Sequence, residues 1–137
     1  MKDAQKEVVS SLFIRSIDAI INEKQKNPKM AKKIKNFKAK INIGLQIAPN
    51  DYLWINFISN DGKIEINRGK LERSYDLSIM AVPEDLMFFT NGEYSLFHML
   101  FKKNKYGMRK IRFGKGTTGR NIKKILKLPK IFVMDKN

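Results

Sequence analysis

The chain has 137 residues, carries 28 lysines and arginines against 13 acidic residues, and has a formal charge of +15 without a single cysteine. A chain of this length fits one domain that can bury a full apolar core. The absence of cysteine excludes disulfides, thiolate metal sites and cysteine nucleophiles. The N-terminus lacks the order of a signal peptide, and no apolar run approaches the roughly 20 residues that span a bilayer, so we expect a soluble cytoplasmic protein.

The basic residues are concentrated in two stretches. Residues 24–40 contain eight lysines and no acid, and residues 94–134 contain twelve lysines and arginines and again no acid. Such a field attracts nucleic acid, anionic lipid headgroups or acidic ligands. Lysine strongly outnumbers arginine, which weakens the case for specific phosphate contacts and leaves a bias of overall composition as the alternative explanation.

The first 38 residues are predicted to form two helices. Val9, Phe13, Ile17 and Ile20 recur at the three-to-four spacing of a buried stripe. Asn27, followed by a proline, is expected to end the first helix and to cap the second.

The apolar period then changes to two. Alternating residues predict strands within 41–48, 52–58, 63–67 and 75–82, and Asn60-Asp61-Gly62 is a strong hairpin signal. Short turns between consecutive strands predict an antiparallel four-strand meander over residues 39–82, with one covered face and one wet face.

Residues 83–128 are predicted to add two short helices, a fifth strand "KIRF" and a last helix that Pro129 ends. Pro83 suits a first helical position and Ser95 an N-cap. The order of elements predicts an α+β fold, in which helices cover one face of a five-stranded, mostly antiparallel sheet. We expect a single domain over residues 1–137, in which 129–137 form a tail.

The stretch "LMFFTNGEYSLFHMLF" holds an unusual surplus of large apolar residues. Two apolar pairs have the four-residue spacing of one helix face, Leu96 with Leu100 and Phe97 with Phe101. This spacing predicts one wide inward-facing surface, with His98 on the solvent-exposed side. The surplus is either ordinary core or the lining of a cavity.

The motif "GKGTTG" matches the glycine pattern of a dinucleotide site, but the second parallel strand and the acidic residue that such a site needs are missing. Two interpretations remain, a flexible turn before the last helix or an anion site at that helix's start. The anion or headgroup site would consist of Lys115, Thr117, Thr118 and Arg120.

The remaining polar residues form no constellation typical of an enzyme. His98 is the only histidine and has no acidic partner nearby in sequence, so we expect no catalytic residue, no metal and no cofactor. Tyr52 and Trp54 lie on the strand face opposite Leu53 and Ile55. They are either rim aromatics or a base-stacking pair, which leaves a nucleic-acid-binding module as the alternative function.

Residues 28–128 resemble the sterol carrier protein 2 domain in the order and spacing of their motifs. The likeness rests on "PKMAKKIKNFKAKINIGL", "YLWINFISNDGKIEINRG", "YDLSIMAVPEDLMFFTNGE", "MRKIRFGKG" and "NIKKILKL". The resemblance implies a non-enzymatic protein with an apolar tunnel between sheet and helices. The tunnel wall that it implies consists of Leu86, Phe89, Phe97, Leu100, Phe101, Ile122, Ile125 and Leu126.

The ligand implied by the resemblance is a fatty acid, an acyl-CoA or a similar acyl-chain lipid. An anionic membrane surface is a further candidate partner, drawn by the basic stretches. The segment from Phe101 to Ile111 is longer and more basic than the family pattern, and this departure favours a generic acyl lipid over a sterol.

Overall fold

A computed structural model describes residues 2–114 and 121–135 of the chain. Five helices and five strands occupy these residues. The helices are α1 (Asp3–Gln25), α2 (Pro28–Lys35), α3 (Pro83–Thr90), α4 (Leu96–Phe101) and α5 (Ile122–Phe132). The strands are β1 (Ala39–Ala48), β2 (Asp51–Asn60), β3 (Lys63–Arg68), β4 (Leu77–Ala81) and β5 (Arg112–Phe113). Within the described ranges, no helix combines the length and the apolar character needed to cross a membrane.

Local signals in the sequence set several of these boundaries as predicted. The Asn27 side chain accepts hydrogen bonds from the backbone amides of Lys29 (2.9 Å) and Met30 (3.3 Å), so it caps α2. The Ser95 hydroxyl accepts one from the amide of His98 (3.1 Å) at the start of α4. Each cap satisfies an amide that the helix itself leaves without a partner.

The strand order in the sheet is β3-β2-β1-β4-β5, which confirms the α+β class and the mostly antiparallel sheet. The predicted meander is wrong at its fourth strand, because β4 pairs in parallel with β1 rather than antiparallel with β3. In this register Leu77 and Ile79 lie beside Ile41 and Ile43 of β1. The parallel pairing therefore adds the apolar residues of β4 to the apolar face that the first three strands already share.

The apolar face of the sheet forms the core together with the helices. Ile41 and Ile43 of β1 face Phe57 and Ile55 of β2, and this row packs against apolar residues of α1, α3, α4 and α5. Phe57 contacts the ring of Phe132 of α5, with 4.8 Å between the ring centroids. Burial of these side chains against the helices is the main source of the fold's stability.

The opposite face of the sheet was expected to be wet. Although Glu65 and Asn67 on the edge strand β3 are exposed, this expectation is wrong at the centre of the sheet. Asn42 and Gln46 of β1 are completely buried there. The amide of Asn42 exchanges two hydrogen bonds with the backbone of Leu71 (2.8 and 2.7 Å), and Asn56 donates to the carbonyl of Gly69 (3.0 Å). The connection from β3 to β4 must cross this face to reach the far side of β1, and it covers the polar row on its way.

The last helix continues past the residue that was predicted to end it. Pro129 lies inside α5 and interrupts the helical hydrogen bonding at one position. The following turn buries Ile131 and Phe132, which are only 2% and 5% exposed. This apolar burial offsets the hydrogen bond that proline cannot donate.

Candidate site between the sheet and the helices

A small apolar cavity lies in the layer between the sheet and the helices. Its volume is about 20 Å³. Thr90 is the single polar residue in the lining, and the other lining residues are Phe13, Ile17, Ile43, Ile79, Leu86, Phe89, Ile111, Leu128 and Phe132. A space of this size holds about one water molecule, whereas pockets for small molecules measure roughly 300–1,000 Å³. The layer is therefore too tightly packed in this conformation to hold a small molecule, and a ligand could enter it only if the lining residues moved apart.

A much larger groove opens on the outside of the same helices. It has a volume of about 1030 Å³ and runs between α1, α2, α3 and the segment that follows α5. Four lysines line it, Lys24, Lys26, Lys29 and Lys33, alongside three methionines. Among the described residues, Lys29 and Lys33 form no ion pair. The groove therefore combines adaptable apolar side chains with uncompensated positive charge.

Thr90 belongs to both spaces, because it lines the apolar cavity and the groove. It is 4% exposed, and its hydroxyl donates to the carbonyl of Met87 (3.1 Å) within α3. The backbone amide of Met134 donates to the carbonyl of Thr90 (2.8 Å). The two spaces are thus separated by one helical residue and by the segment bonded to it.

An ion pair between a buried ammonium group and a half-exposed carboxylate fixes the same segment to the first helix. The ammonium group of Lys24, only 2% exposed, lies 2.8 Å from a carboxylate oxygen of Asp135. A buried ammonium needs such a partner because desolvation otherwise disfavours its charge. Residues 133–135 therefore connect α3 to α1 across the boundary between cavity and groove.

The predicted lipid-binding residues occupy three kinds of position. Leu86 and Phe89 line the apolar cavity. Leu100 and Ile125 are half-buried against the core. The others are largely exposed, namely Phe97 (70%), Phe101 (67%), Ile122 (55%) and Leu126 (62%). The expectation that these four face inward is wrong, while the lipid contact proposed for the set stays a prediction.

Helical phase explains why α4 turns its phenylalanines outward. The helix has only six residues, and the stripe that it buries is narrow, with Leu96 9% and Met99 0% exposed. Phe97 and Phe101 follow Leu96 and Leu100 by one residue, which rotates them by about 100° around the helix. Helix and sheet meet along one stripe, so only one of the two predicted pairs could point inward.

His98 was expected to face water, and this is also wrong. Its ring stacks on Tyr94 with 4.1 Å between the centroids, and its Nε2 atom is buried without a hydrogen-bond partner among the described residues. The ammonium of Lys110 lies over the same tyrosine ring at 4.8 Å and pairs with Asp85 at 3.0 Å. These contacts connect α3, α4 and the segment before β5.

The proposed anion or headgroup residues Lys115, Thr117, Thr118 and Arg120 lie outside the described residues. Their assignment stays a prediction. The groove lysines were not singled out from the sequence, although the run of eight lysines in residues 24–40 contains all four of them. The usable signal was the four-residue spacing of Lys29 and Lys33 next to Met30.

Tyr52 and Trp54 are held against the sheet rather than presented as a stacking surface. The Trp54 ring lies across Gly44 so closely that a Cβ atom there would come within 2.9 Å of it. The ammonium of Lys70 lies 4.3 Å from the same ring, and Arg112 donates to the Tyr52 hydroxyl (2.9 Å). Base stacking would have to displace these contacts, so the geometry does not favour the nucleic-acid alternative.

Solved structures with a similar arrangement of sheet and helices include sterol carrier proteins. The sterol carrier protein domain 2 of Helicoverpa armigera superimposes with a TM-score of 0.60 over 90% of this chain and 91% of its own, at 13% sequence identity. Sterol carrier protein 2 of Yarrowia lipolytica, in its apo form, gives a TM-score of 0.54 over 88% and 91% at 16% identity. The chain has a sterol carrier protein 2-like fold.

A bacterial structure extends this likeness to another kingdom. A Thermus thermophilus protein described as possibly a sterol carrier protein shares the sterol carrier protein 2-like fold with a TM-score of 0.52 over 90% of each chain, at 10% identity. No protein-family model and no curated protein sequence matches the chain. The likeness therefore concerns the fold, and the chain's own residues must carry any functional argument.

Proposed function

We propose that the protein binds or transfers an acyl-chain lipid, with the chain held between the sheet and the helices and the anionic headgroup in the lysine-lined groove. The observation that carries this proposal is the position of Thr90, which borders both the apolar cavity and the basic groove. A lipid that enters beside Thr90 would have its two chemically different ends in two matching environments. The sterol carrier protein 2-like fold supports the same class of ligand.

The apolar layer can widen at little polar cost. Leu86, Phe89 and most other residues that line the cavity have no polar side-chain atoms, so repacking of these side chains leaves no side-chain hydrogen bond of theirs unsatisfied. Each methylene group of the ligand that enters contributes roughly 0.8 kcal/mol. An acyl chain of ordinary length can therefore offset the packing that is lost when the layer between sheet and helices opens. The proposal contains no catalytic step.

The groove supplies the preference for an anion. Lys29 and Lys33 are adjacent on α2 and both line the groove. Their ammonium groups can meet a carboxylate or a phosphate while Met30 contacts the first methylene groups. The predicted wall residues Leu100 and Ile125 would contact the chain further along the layer, once it has opened.

A binding experiment with paired ligands and paired variants tests this proposal. Native mass spectrometry and displacement of a fluorescent fatty acid should detect a long-chain fatty acid on the purified protein. The double variant Lys29→Gln/Lys33→Gln should weaken fatty-acid binding by about tenfold, because two cations near the headgroup are lost. It should leave binding of the fatty alcohol of equal chain length unchanged.

The control variant is Lys32→Gln/Lys35→Gln, which removes the same charge from the same helix outside the groove. It should bind the acid and the alcohol like the wild type. Absence of uptake of both ligands by the wild-type protein would refute lipid binding altogether. Equal losses in the two lysine variants would refute the groove as the headgroup site.

A further inference from the structure

Phe97 and Phe101 form an aromatic pair that projects from a firmly held helix. They are the most exposed large apolar side chains of the described residues, and their rings are parallel with 6.5 Å between the centroids. The helix beneath them is fixed, because Met99 is completely buried and its carbonyl accepts a hydrogen bond from Ile111 (2.9 Å). The exposure of the pair is therefore a stable property of the surface and does not reflect a frayed helix end.

The cations next to this pair lack acidic partners. Lys102 and Lys103 follow directly and are exposed, and Arg109 lies opposite Lys103 across a β-bridge. Among the described residues these three form no ion pair, whereas the neighbouring Lys105 and Lys110 pair with Glu84 and Asp85. Lys105 and Lys110 are thus paired with acids, whereas Lys102, Lys103 and Arg109 are not.

Another exposed apolar pair in the described residues differs in its charges. Val8 and Leu12 of α1 are 56% and 60% exposed, four residues apart. The charged residues beside them, Lys6 and Glu7, are compensated by Asp51 and Arg68. This pair has a smaller apolar area, and one exposed cation on its face, Arg15, forms no ion pair among the described residues, against three such cations beside the phenylalanines.

We propose that Phe97, Phe101, Lys102, Lys103 and Arg109 form a docking surface for an anionic lipid bilayer. Phenylalanine has no hydrogen-bonding group, so its ring can enter the interface between headgroups and acyl chains, while lysine stems lie along that boundary with their charge at the headgroups. The charge of +15 opposes a second copy of this chain as the occupant. This surface rests on the proposed function for its purpose, because a lipid carrier must meet the membrane from which it takes lipid.

Vesicle co-sedimentation tests the surface without measuring lipid uptake. Vesicles of phosphatidylcholine alone are compared with vesicles that contain about one third phosphatidylserine. The wild-type protein should bind the anionic vesicles only, and binding should fall as salt is raised. Phe97→Ser/Phe101→Ser should weaken binding by about tenfold, and Lys102→Gln/Lys103→Gln by about fivefold for each lysine.

Val8→Ser/Leu12→Ser is the matched control, and it should bind anionic vesicles like the wild type. Because all of these positions are exposed, the variants should keep the wild-type thermal unfolding temperature, and Lys102→Gln/Lys103→Gln should still take up free fatty acid. Failure of fatty-acid uptake with intact vesicle binding would refute the proposed function and leave the docking surface in place.

Four results would overturn the docking surface. The first is that the wild-type protein does not bind anionic vesicles at low salt, and the second is that the aromatic variant binds them like the wild type. The third is that the α1 variant loses as much binding as the aromatic variant. The fourth is a concentration-dependent dimer that the aromatic substitution abolishes. The last result would mean that a second copy of the chain occupies the surface.

Discussion

At the centre of the sheet both faces are covered, but by different physical means. On one face, Ile41 and Ile43 pack against helices through dispersion and apolar burial. On the other, Asn42 and Gln46 are equally inaccessible, yet they are held by hydrogen bonds to the connecting segments. Apolar packing can be rearranged around a guest molecule, whereas a hydrogen-bonded cover cannot open without leaving buried polar atoms unsatisfied. The difference indicates that a ligand would enter on the helical side.

The largest loss of stability is expected from a substitution on the apolar face. Phe57→Ala removes a ring that is 0% exposed and that contacts Phe132, and it should lower the free energy of unfolding by about 3–5 kcal/mol. Phe97→Ala is the control because it removes the same group from an exposed position, and it should change stability by less than about 0.5 kcal/mol. Urea denaturation measures both variants. Similar losses would mean that the α4 surface is buried in solution.

A smaller effect is expected on the polar face. The Gln46 side-chain oxygen accepts hydrogen bonds from Asn104 (3.1 Å) and Arg112 (2.9 Å). Gln46→Leu keeps the volume but leaves these donors without that acceptor, so the free energy of unfolding should fall by about 2–3 kcal/mol.

A double-mutant cycle with Asn104→Leu identifies the cause of that loss. Replacing both partners should cost clearly less than the sum of the two single substitutions, because fewer buried groups then remain unsatisfied. Strict additivity in urea denaturation would contradict a cooperative network on this face.

The smallest effect is expected at Gly44, on the same face. The Cβ atom added in Gly44→Ala would lie 2.9–3.1 Å from three atoms of the Trp54 ring, so the ring must shift. We expect this shift to lower the free energy of unfolding by about 1–3 kcal/mol. Because Trp54 is the single tryptophan of the chain, its fluorescence reports the shift directly. Combining the substitution with Trp54→Leu should relieve most of the loss in stability. An unchanged emission spectrum in Gly44→Ala would show that the ring does not rest on the strand.

Sequence patterns predicted the elements well where the signal was local. Asn27 and Ser95 mark helix starts because their side chains satisfy nearby amides, and Asp61-Gly62 adopts positive φ angles in the hairpin as expected. The alternation in β1 and β2 likewise fixed which residues share the apolar face. Each of these features depends on contacts within a few residues.

The tertiary structure decided the features that depend on distant neighbours. Only the parallel register of β4 on β1 reveals that the connecting segment covers the polar face and buries Asn42. In α4, two apolar pairs competed for one inward stripe, and the position of the sheet selected Leu96 and Met99 while leaving Phe97 outside. The groove between α1, α2 and α3 could not be read from any single helix, because its lysines and methionines meet only after packing.

The sequence by itself thus determined the helices, the strands, the apolar face and the high positive charge, since each follows from local periodicity or from composition. Tertiary packing decided which phenylalanines are buried, which cations lack a partner, and where the basic groove lies relative to the apolar layer. Those properties depend on how distant segments compete for a limited buried surface, and local sequence does not record the result of that competition.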